Sequence, residues 1–270
     1  MSTLHMLASA YDTICCSYIF ENEEGLMVFD GGFECEEPTI LAYIEALGKP
    51  VHTWFFTHPH DDHIGACVQI LRNYPERIRL GQLCFNFLPT DTLYSIGGEN
   101  ESIVLVRELY KLIDSLAIPV LTPEVGTEIV MGGARVVCQR IPNPELEGNS
   151  YNNSSVVLRL ESDGKSVIFL GDLGVEGGRD LLSKVPAEEL RADYCQMAHH
   201  GQNGVERAVY EAIRPEVCLW STPTWLWENK GEGGYDTGPY RTIVVRGWIS
   251  DMRCCKKHYL PHNGHVRIEF

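Results

Sequence analysis

The chain has 270 residues, enough to bury one large core, and its 44% hydrophobic and 22% charged residues are ordinary for a soluble globular protein. Its formal charge of −15 disfavours a long phosphate backbone as partner, because nucleic-acid binders carry basic surfaces. A small anionic substrate stays open, since metal ions can supply local positive charge. The N-terminal stretch MSTLHMLASAYD lacks a basic region followed by an apolar run. No segment approaches the roughly 20 apolar residues that cross a membrane, so the expectation is a cytoplasmic protein without membrane contact. The ten cysteines include no CxxC pair and read as buried, reduced thiols.

In chain order, Ser17–Phe20 and Gly25–Phe29 read as strands around the turn Glu21–Glu24, and Asp30-Gly31-Gly32 ends the second. Thr39–Leu47 reads as a helix and His52–Thr57 as a buried strand. The helical spacing of Ile64–Tyr74 predicts a helix starting directly after the histidine-rich stretch that precedes it. Ile78–Phe85 follows as a strand. Glu101–Leu116 is an amphipathic helix with Ile103, Val106, Leu109, Leu112, Ile113 and Leu116 on one face. Glu128–Met131 and Ala134–Ile141 form a hairpin about Gly132-Gly133; Ser154–Leu160 and Ser166–Leu170 form another about Ser162-Asp163-Gly164. A helix over Gly178–Lys184, a strand over Ala192–Ala198, a helix over Val205–Ile213 and a strand over Val217–Ser221 come next. Tyr240–Met252 and Val266–Phe270 close the chain as helix and strand. Two halves of strands, each flanked by helices, predict an α/β four-layer αββα sandwich. With no linker or low-complexity tract, residues 1–270 read as one domain.

Chemistry concentrates at three strand ends. His58-Pro59-His60-Asp61-Asp62-His63 follows the apolar run Trp54-Phe55-Phe56 and packs three imidazoles and two carboxylates, the usual ligands of zinc and similar ions, into one loop. Val167–Leu170 runs into Gly171-Asp172, which offers a bridging carboxylate. Asp193–Ala198 runs into His199-His200-Gly201. Downstream, the segment from Trp220 to Tyr235 carries Trp225, Trp227 and Tyr235 among glycines; it reads equally as a substrate-covering aromatic loop and as an aromatic edge packed on the sandwich or at a subunit interface.

HPHDDH fits the HxHxDH signature of the metallo-β-lactamase superfamily. With strand-GD, strand-HHG, Tyr11-Asp12, Asn152-Asn153-Ser154-Ser155 and His262-Asn263-Gly264, the chain resembles the branch containing the hydrolase domain of competence (DNA-uptake) channel proteins and phosphorylcholine esterase. The resemblance implies the metallo-β-lactamase fold and a dinuclear centre of two divalent ions, zinc or manganese. His58 and His60 would hold one metal, Asp62 and His63 the other; Asp172 would bridge them. His199 or His200 would complete the second metal, the other serving the shell or the substrate. Many superfamily members carry a further histidine on the first metal. Here none lies between His63 and His199, and Asn152 occupies that region, so the His58/His60 side would be weak or empty.

The implied activity is hydrolysis by a metal-activated hydroxide, with Asp62, Asp172, His199 and His200 as catalytic residues, and a small phosphodiester as substrate. A carboxyl ester, lactone or β-lactam on the same metals is the alternative; a non-catalytic binding protein is a further one. Asp61 is expected to orient a ligand histidine or cap the following helix rather than to ligate. Asn152, Trp225, Trp227 and Tyr235 are the substrate candidates. Oligomeric state is left open.

Overall fold

In the computed structural model, which describes residues 2–146, 148 and 150–270, the alternation of short apolar runs and amphipathic helices resolves into two seven-stranded sheets packed face to face. The first sheet takes β1 (Thr3–Met6), β2 (Tyr18–Glu21), β3 (Leu26–Phe29), β4 (Val51–Phe55), β5 (Leu80–Cys84) and β6 (Val120–Leu121) in sequence order. The second takes β7 (Glu128–Met131), β8 (Ala134–Arg140), β9 (Val157–Ser162), β10 (Lys165–Phe169), β11 (Tyr194–Gln196), β12 (Val217–Leu219) and β13 (Lys257–Tyr259). The last strand, β14 (Val266–Glu269), returns to pair antiparallel with β1.

Three apolar clusters fill the spaces between four layers. Between the sheets lie Tyr18, Phe29, Phe55, Leu158 and Phe169. Helices Glu37–Leu47, Asp61–Asn73 and Glu101–Leu116 cover the outside of the first sheet through Ile40, Ile64, Val68 and Val106. Helices Val175–Lys184, Arg207–Ile213 and Thr242–Met252 cover the second through Leu181, Val209 and Ile249. This is the predicted αββα sandwich. No described helix is long and apolar enough to cross a membrane.

The inter-sheet core aims the strand ends. Phe29 stacks on Phe55 at 4.8 Å and on Phe169 of the facing sheet at 4.1 Å. Each such aromatic pair adds about 0.5–1.5 kcal/mol beyond its burial. The three rings sit at the last residues of β3, β4 and β10, so they fix the chain immediately before Asp30, Thr57-His58 and Gly171-Asp172. Val156 N–H donates to Thr57 O at 2.8 Å and ties the two sheets together at that rim.

Three expectations change. The helix expected from Ile64 starts at Asp61, with His60 as its extended N-cap, because two carboxylates in its first turn favour the positive end of the helix dipole. The strand expected from Ser154 begins at Val157, since Ser150–Asn153 forms a helical turn first. β1, β6, β13 and helix Thr90–Gly97 were not expected; the strands are two to four residues long, too short for a periodic signal.

Candidate metal centre

Three loops and one helix start meet at the rim above the aromatic stack. Thr57–His60 leaves β4, and Asp62 and His63 lie in the first turn of the helix that begins at Asp61. Asp172 follows β10. His199 and His200 follow β11 in a turn where both adopt left-handed backbone, φ 51° and 56°. L-residues pay about 1–2 kcal/mol each for that conformation, so surrounding contacts must hold it. Thr222 Oγ1 donates to His200 O at 2.6 Å, and His199 N–H donates to Gly171 O at 3.0 Å. Gly201 continues the turn at φ +77°, where a Cβ would stand 2.4 Å from the Trp220 ring. Gly171, at φ +55°, would bring a Cβ to 2.7 Å from Thr57. Both glycines therefore let the loops approach closely enough to share one site.

The donor atoms form two overlapping groups, either of which could hold a metal ion. Asp62, His63, Asp172 and His200 make one, fully buried; His58, His60 and Asp172 make the other. Asp172 belongs to both. Its Oδ1 lies 3.2 Å from His63 Nε2; its Oδ2 lies 3.1 Å from His200 Nε2 and 3.9 Å from His58 Nε2. His200 Nε2 is also 3.1 Å from Asp62 Oδ2. Despite these distances, His63 Nε2, His200 Nε2 and Asp172 Oδ1 are buried without a hydrogen bond. Buried polar atoms left unpaired are costly. Ring nitrogens and carboxylate oxygens that converge without bonding each other suit a cation between them, so the residues fit the divalent metal that the donor chemistry implies.

Hydrogen bonds behind the ring nitrogens set their tautomers. Asp30 is buried, its Oδ2 accepts from His63 Nδ1 at 2.8 Å and from Thr57 Oγ1 at 2.8 Å, and its Oδ1 accepts from Thr57 N–H at 2.8 Å. With its proton given to Asp30, Thr57 Oγ1 is left to accept from His58 Nδ1, 3.2 Å away. Protonated Nδ1 on His58 and His63 leaves each Nε2 lone pair facing the site. His60 presents Nδ1 instead, 3.0 Å from His58 Nε2, with its ring stacked on Tyr151 at 5.2 Å. Burial pushes the Cys16 thiol behind His63 up to about 12, which leaves Asp30 as the charged group that fixes this histidine.

Burial holds His58 well below the ordinary histidine value and lowers His60, so both imidazoles are neutral near pH 7. Burial also works against charge on His63 and His200, but the facing carboxylates outweigh it. Asp172, Asp30 and Asp62 hold His63 well above its ordinary value, and Asp172 and Asp62 raise His200 to about 9. Burial opposes ionisation of Asp172, yet His200, His63 and His199 keep its carboxyl well below the usual range. A cation held between Asp62, Asp172 and these two histidines would have to displace protons from them.

The structure separates the adjacent histidines. His200 sits in the Asp62/His63/Asp172 group; His199, more exposed, has its Nε2 3.7 Å from Asp172 Oδ2 and 3.4 Å from Asn152 Nδ2. Asn152 is buried with its Oδ1 unpartnered. Asp61 departs from its expected role: its Oδ1 accepts from Ser102 Oγ at 3.3 Å, and Ser102 Oγ accepts from its N–H at 3.2 Å. It anchors helix Glu101–Leu116 to the motif, and its side chain bonds Ser102 rather than a histidine of the site. Trp225 Nε1 donates to Asp12 O at 3.3 Å beside a cavity of about 310 Å³ lined by Ser9, Asp12, Thr13, Thr222, Thr224 and His262. Trp227 packs edge-on to Trp220 at 5.1 Å with Arg246 over its face at 3.9 Å, and Tyr235 is 62% exposed. Asp172 N–H donates to Ser155 Oγ at 3.1 Å. The sequence alone assigned no site role to Asp30, Thr57, Ser155 or Ser102. Only Asp30 gave a signal, as an acid directly after an apolar strand.

The family pattern of the metallo-beta-lactamase superfamily matches residues 10–216. The chain belongs to the metallo-beta-lactamase superfamily. Among known proteins, the chain is similar to ComE operon protein 3 of Bacillus subtilis, 27% identical over 193 residues, 69% of this chain. Those residues are 22% of that protein, so the chain spans about a fifth of its length. Among solved structures, the metallo-beta-lactamase fold protein YhfI of Bacillus subtilis aligns over 100% of both chains with a TM-score of 0.60 at 10% identity. Igni18, a metallo hydrolase from the archaeon Ignicoccus hospitalis, aligns over 100% of both chains at 0.56 and 12% identity. CmlA, a diiron β-hydroxylase from Streptomyces venezuelae, covers 100% of this chain and 54% of its own at 0.59 and 12% identity. Identities this low speak for a shared metallo-beta-lactamase fold alone.

Proposed function

We propose that the chain is a metal-dependent hydrolase of small phosphodiesters, using two divalent ions, zinc or manganese, held around Asp172. The observation that carries this reading is the set of buried, unbonded nitrogens and oxygens that converge on that carboxylate. His58, His60 and Asp172 would hold one ion; Asp62, His63, Asp172 and His200 the other. When bound, such ions supply Lewis acidity, bringing the pKa of water near neutrality and polarising a phosphoryl or carbonyl oxygen.

The protein's own residues divide the remaining work. Asp30 and Thr57 lock the ring tautomers so that lone pairs face inward. Asp172 and Asp62 neutralise the positive charge of the centre. His199, whose Nε2 accepts from Asn152 Nδ2 at 3.4 Å and lies 3.7 Å from Asp172 Oδ2, is partly open to solvent and would contact the substrate beside the metals. Two adjacent cation positions sharing one carboxylate favour a phosphodiester, whose attacking and leaving oxygens lie on opposite sides of phosphorus. The acidic surface supports a small substrate over long nucleic acid. The donor sets are unequal, three residues against four, which supports a looser His58/His60 side.

A screen of bis-p-nitrophenyl phosphate, phosphorylcholine esters, lactones and nitrocefin, each with zinc and with manganese, tests the reading. Turnover of the phosphodiesters is expected; turnover confined to lactones or nitrocefin would move the chain to carboxyl-ester or β-lactam chemistry.

A further inference from the structure

A second cluster of reactive side chains lies at the far edge of the second sheet. Cys218, on β12, is fully buried, and Cys255, just before β13, is partly buried. Their sulfurs are 3.5 Å apart. His258, paired with Cys218 across the parallel strands, brings its Nε2 to 3.8 Å from Cys255 Sγ. These three residues also have the composition of a metal site, so their protonation decides what they can do.

Trp220 makes that decision. Its indole Nε1–H donates to His258 Nδ1 at 2.9 Å. An indole nitrogen can only donate, so Nδ1 must carry the lone pair, and the neutral imidazole bears its proton on Nε2. That N–H faces Cys255. An imidazole fixed in this tautomer has no lone pair to give a cation on the cysteine side, but it is a donor to a thiolate. We propose that Cys255 and Cys218 form a hydroperoxide-sensitive dithiol, in which Cys255 is the attacking thiolate, His258 its hydrogen-bond donor and Cys218 the resolving thiol.

The electrostatics agree with the geometry. The Cys218 thiol, against the cost of burial and together with His258, holds the Cys255 thiol well below the ordinary range. Cys218 is pushed up by Cys255 and by burial, so the two differ in readiness. A lowered thiol in partial contact with solvent is the condition for selective reaction. Cys254, one residue away, is similarly exposed and serves as an internal comparison.

The chemistry balances with a hydroperoxide as oxidant. The Cys255 thiolate attacks one peroxide oxygen, an S–O bond forms, the O–O bond breaks, and the departing hydroxide takes a proton to become water. The Cys218 thiol then gives up its proton and attacks the sulfenic sulfur. An S–S bond forms, the S–O bond breaks, and hydroxide leaves with that proton as a second water. Two thiols lose two electrons and two protons, and one hydrogen peroxide becomes two waters. The sulfurs must close from 3.5 Å to about 2.05 Å, a movement open to a chain segment lying between a helix end and an edge strand.

The test uses the full, metal-loaded chain, reduced and then treated with one equivalent of hydrogen peroxide at pH 7, followed by peptide mass mapping. The expected product is a Cys218–Cys255 linked peptide. In Cys218→Ala the reaction should stop at a Cys255 sulfenic acid that dimedone traps. Iodoacetamide should label Cys255 at least about tenfold faster than Cys254 at pH 6, with a rate that His258→Gln lowers at low pH. Equal labelling of the two cysteines, with no crosslink, would overturn the proposal. So would a cobalt–thiolate absorption band that Cys255→Ser removes, since it would make the cluster a metal site. None of these outcomes depends on hydrolysis.

Discussion

Asparagine at position 30 would keep the shape of the aspartate and reverse one hydrogen bond. Asp30 accepts from the Thr57 amide, the Thr57 hydroxyl and His63 Nδ1, each at 2.8 Å. Asn Oδ1 can keep the Thr57 amide, and the Thr57 hydroxyl can turn to accept from Nδ2. His63 Nδ1–H then faces an N–H donor. The least costly response is a tautomer switch that moves the His63 proton to Nε2, where it occupies the lone pair needed for a metal. Loss of such a supporting carboxylate costs about 10–100-fold in metal affinity, or roughly 1.4–2.7 kcal/mol. Competition of the stripped protein with a chelator of known affinity measures this directly. Thermal melts should show a stability loss of about 1–3 kcal/mol, the range for one compromised buried donor. Metal affinity within twofold of wild type would refute the claim that Asp30 sets the His63 tautomer.

Other substitutions probe the frame around the centre. Gly201→Ala must displace the Trp220 ring from 2.4 Å and strain a left-handed turn, so it should lower stability by about 2–4 kcal/mol in denaturant unfolding and weaken metal binding through His200. Arg140 and Asp180 form a buried ion pair at 3.1 Å, and Arg140 Nη1 donates to Ser155 O at 2.8 Å. Arg140→Ala should cost about 1–3 kcal/mol, read from the unfolding midpoint, because Ser155 O loses its donor while Asp180 keeps Lys184 at 2.7 Å and Asn143 at 3.0 Å. Equilibrium dialysis against manganese or zinc should fill the four-residue group first, so that His63→Ala removes the tight ion and His60→Ala only the weaker one.

The candidate metal donors were legible because their chemistry is local. His58, His60, Asp62 and His63 fall within six residues, and Asp172 and His200 each close an apolar strand. What holds them was not. Asp30 reaches His63 across 33 residues, and Ser102 reaches Asp61 across 41, contacts that exist only once the sheet and helices have packed. The choice between His199 and His200 rests on two left-handed residues, and neither type signals that conformation as glycine does. The helix start at Asp61 was hidden because apolar periodicity begins at Ile64, whereas the first turn is built from charged side chains. The short strands at the sheet edges lacked enough residues to show a period.

Hydrolysis of bis-p-nitrophenyl phosphate by chelator-stripped protein reloaded with zinc or manganese, compared between wild type and Asp172→Asn, is the most direct measurement of whether the centre does the chemistry. Wild type should regain activity with metal, while the variant, folded by its melting curve, stays at the stripped background. Equal hydrolysis by the two proteins would contradict a metal centre organised around Asp172.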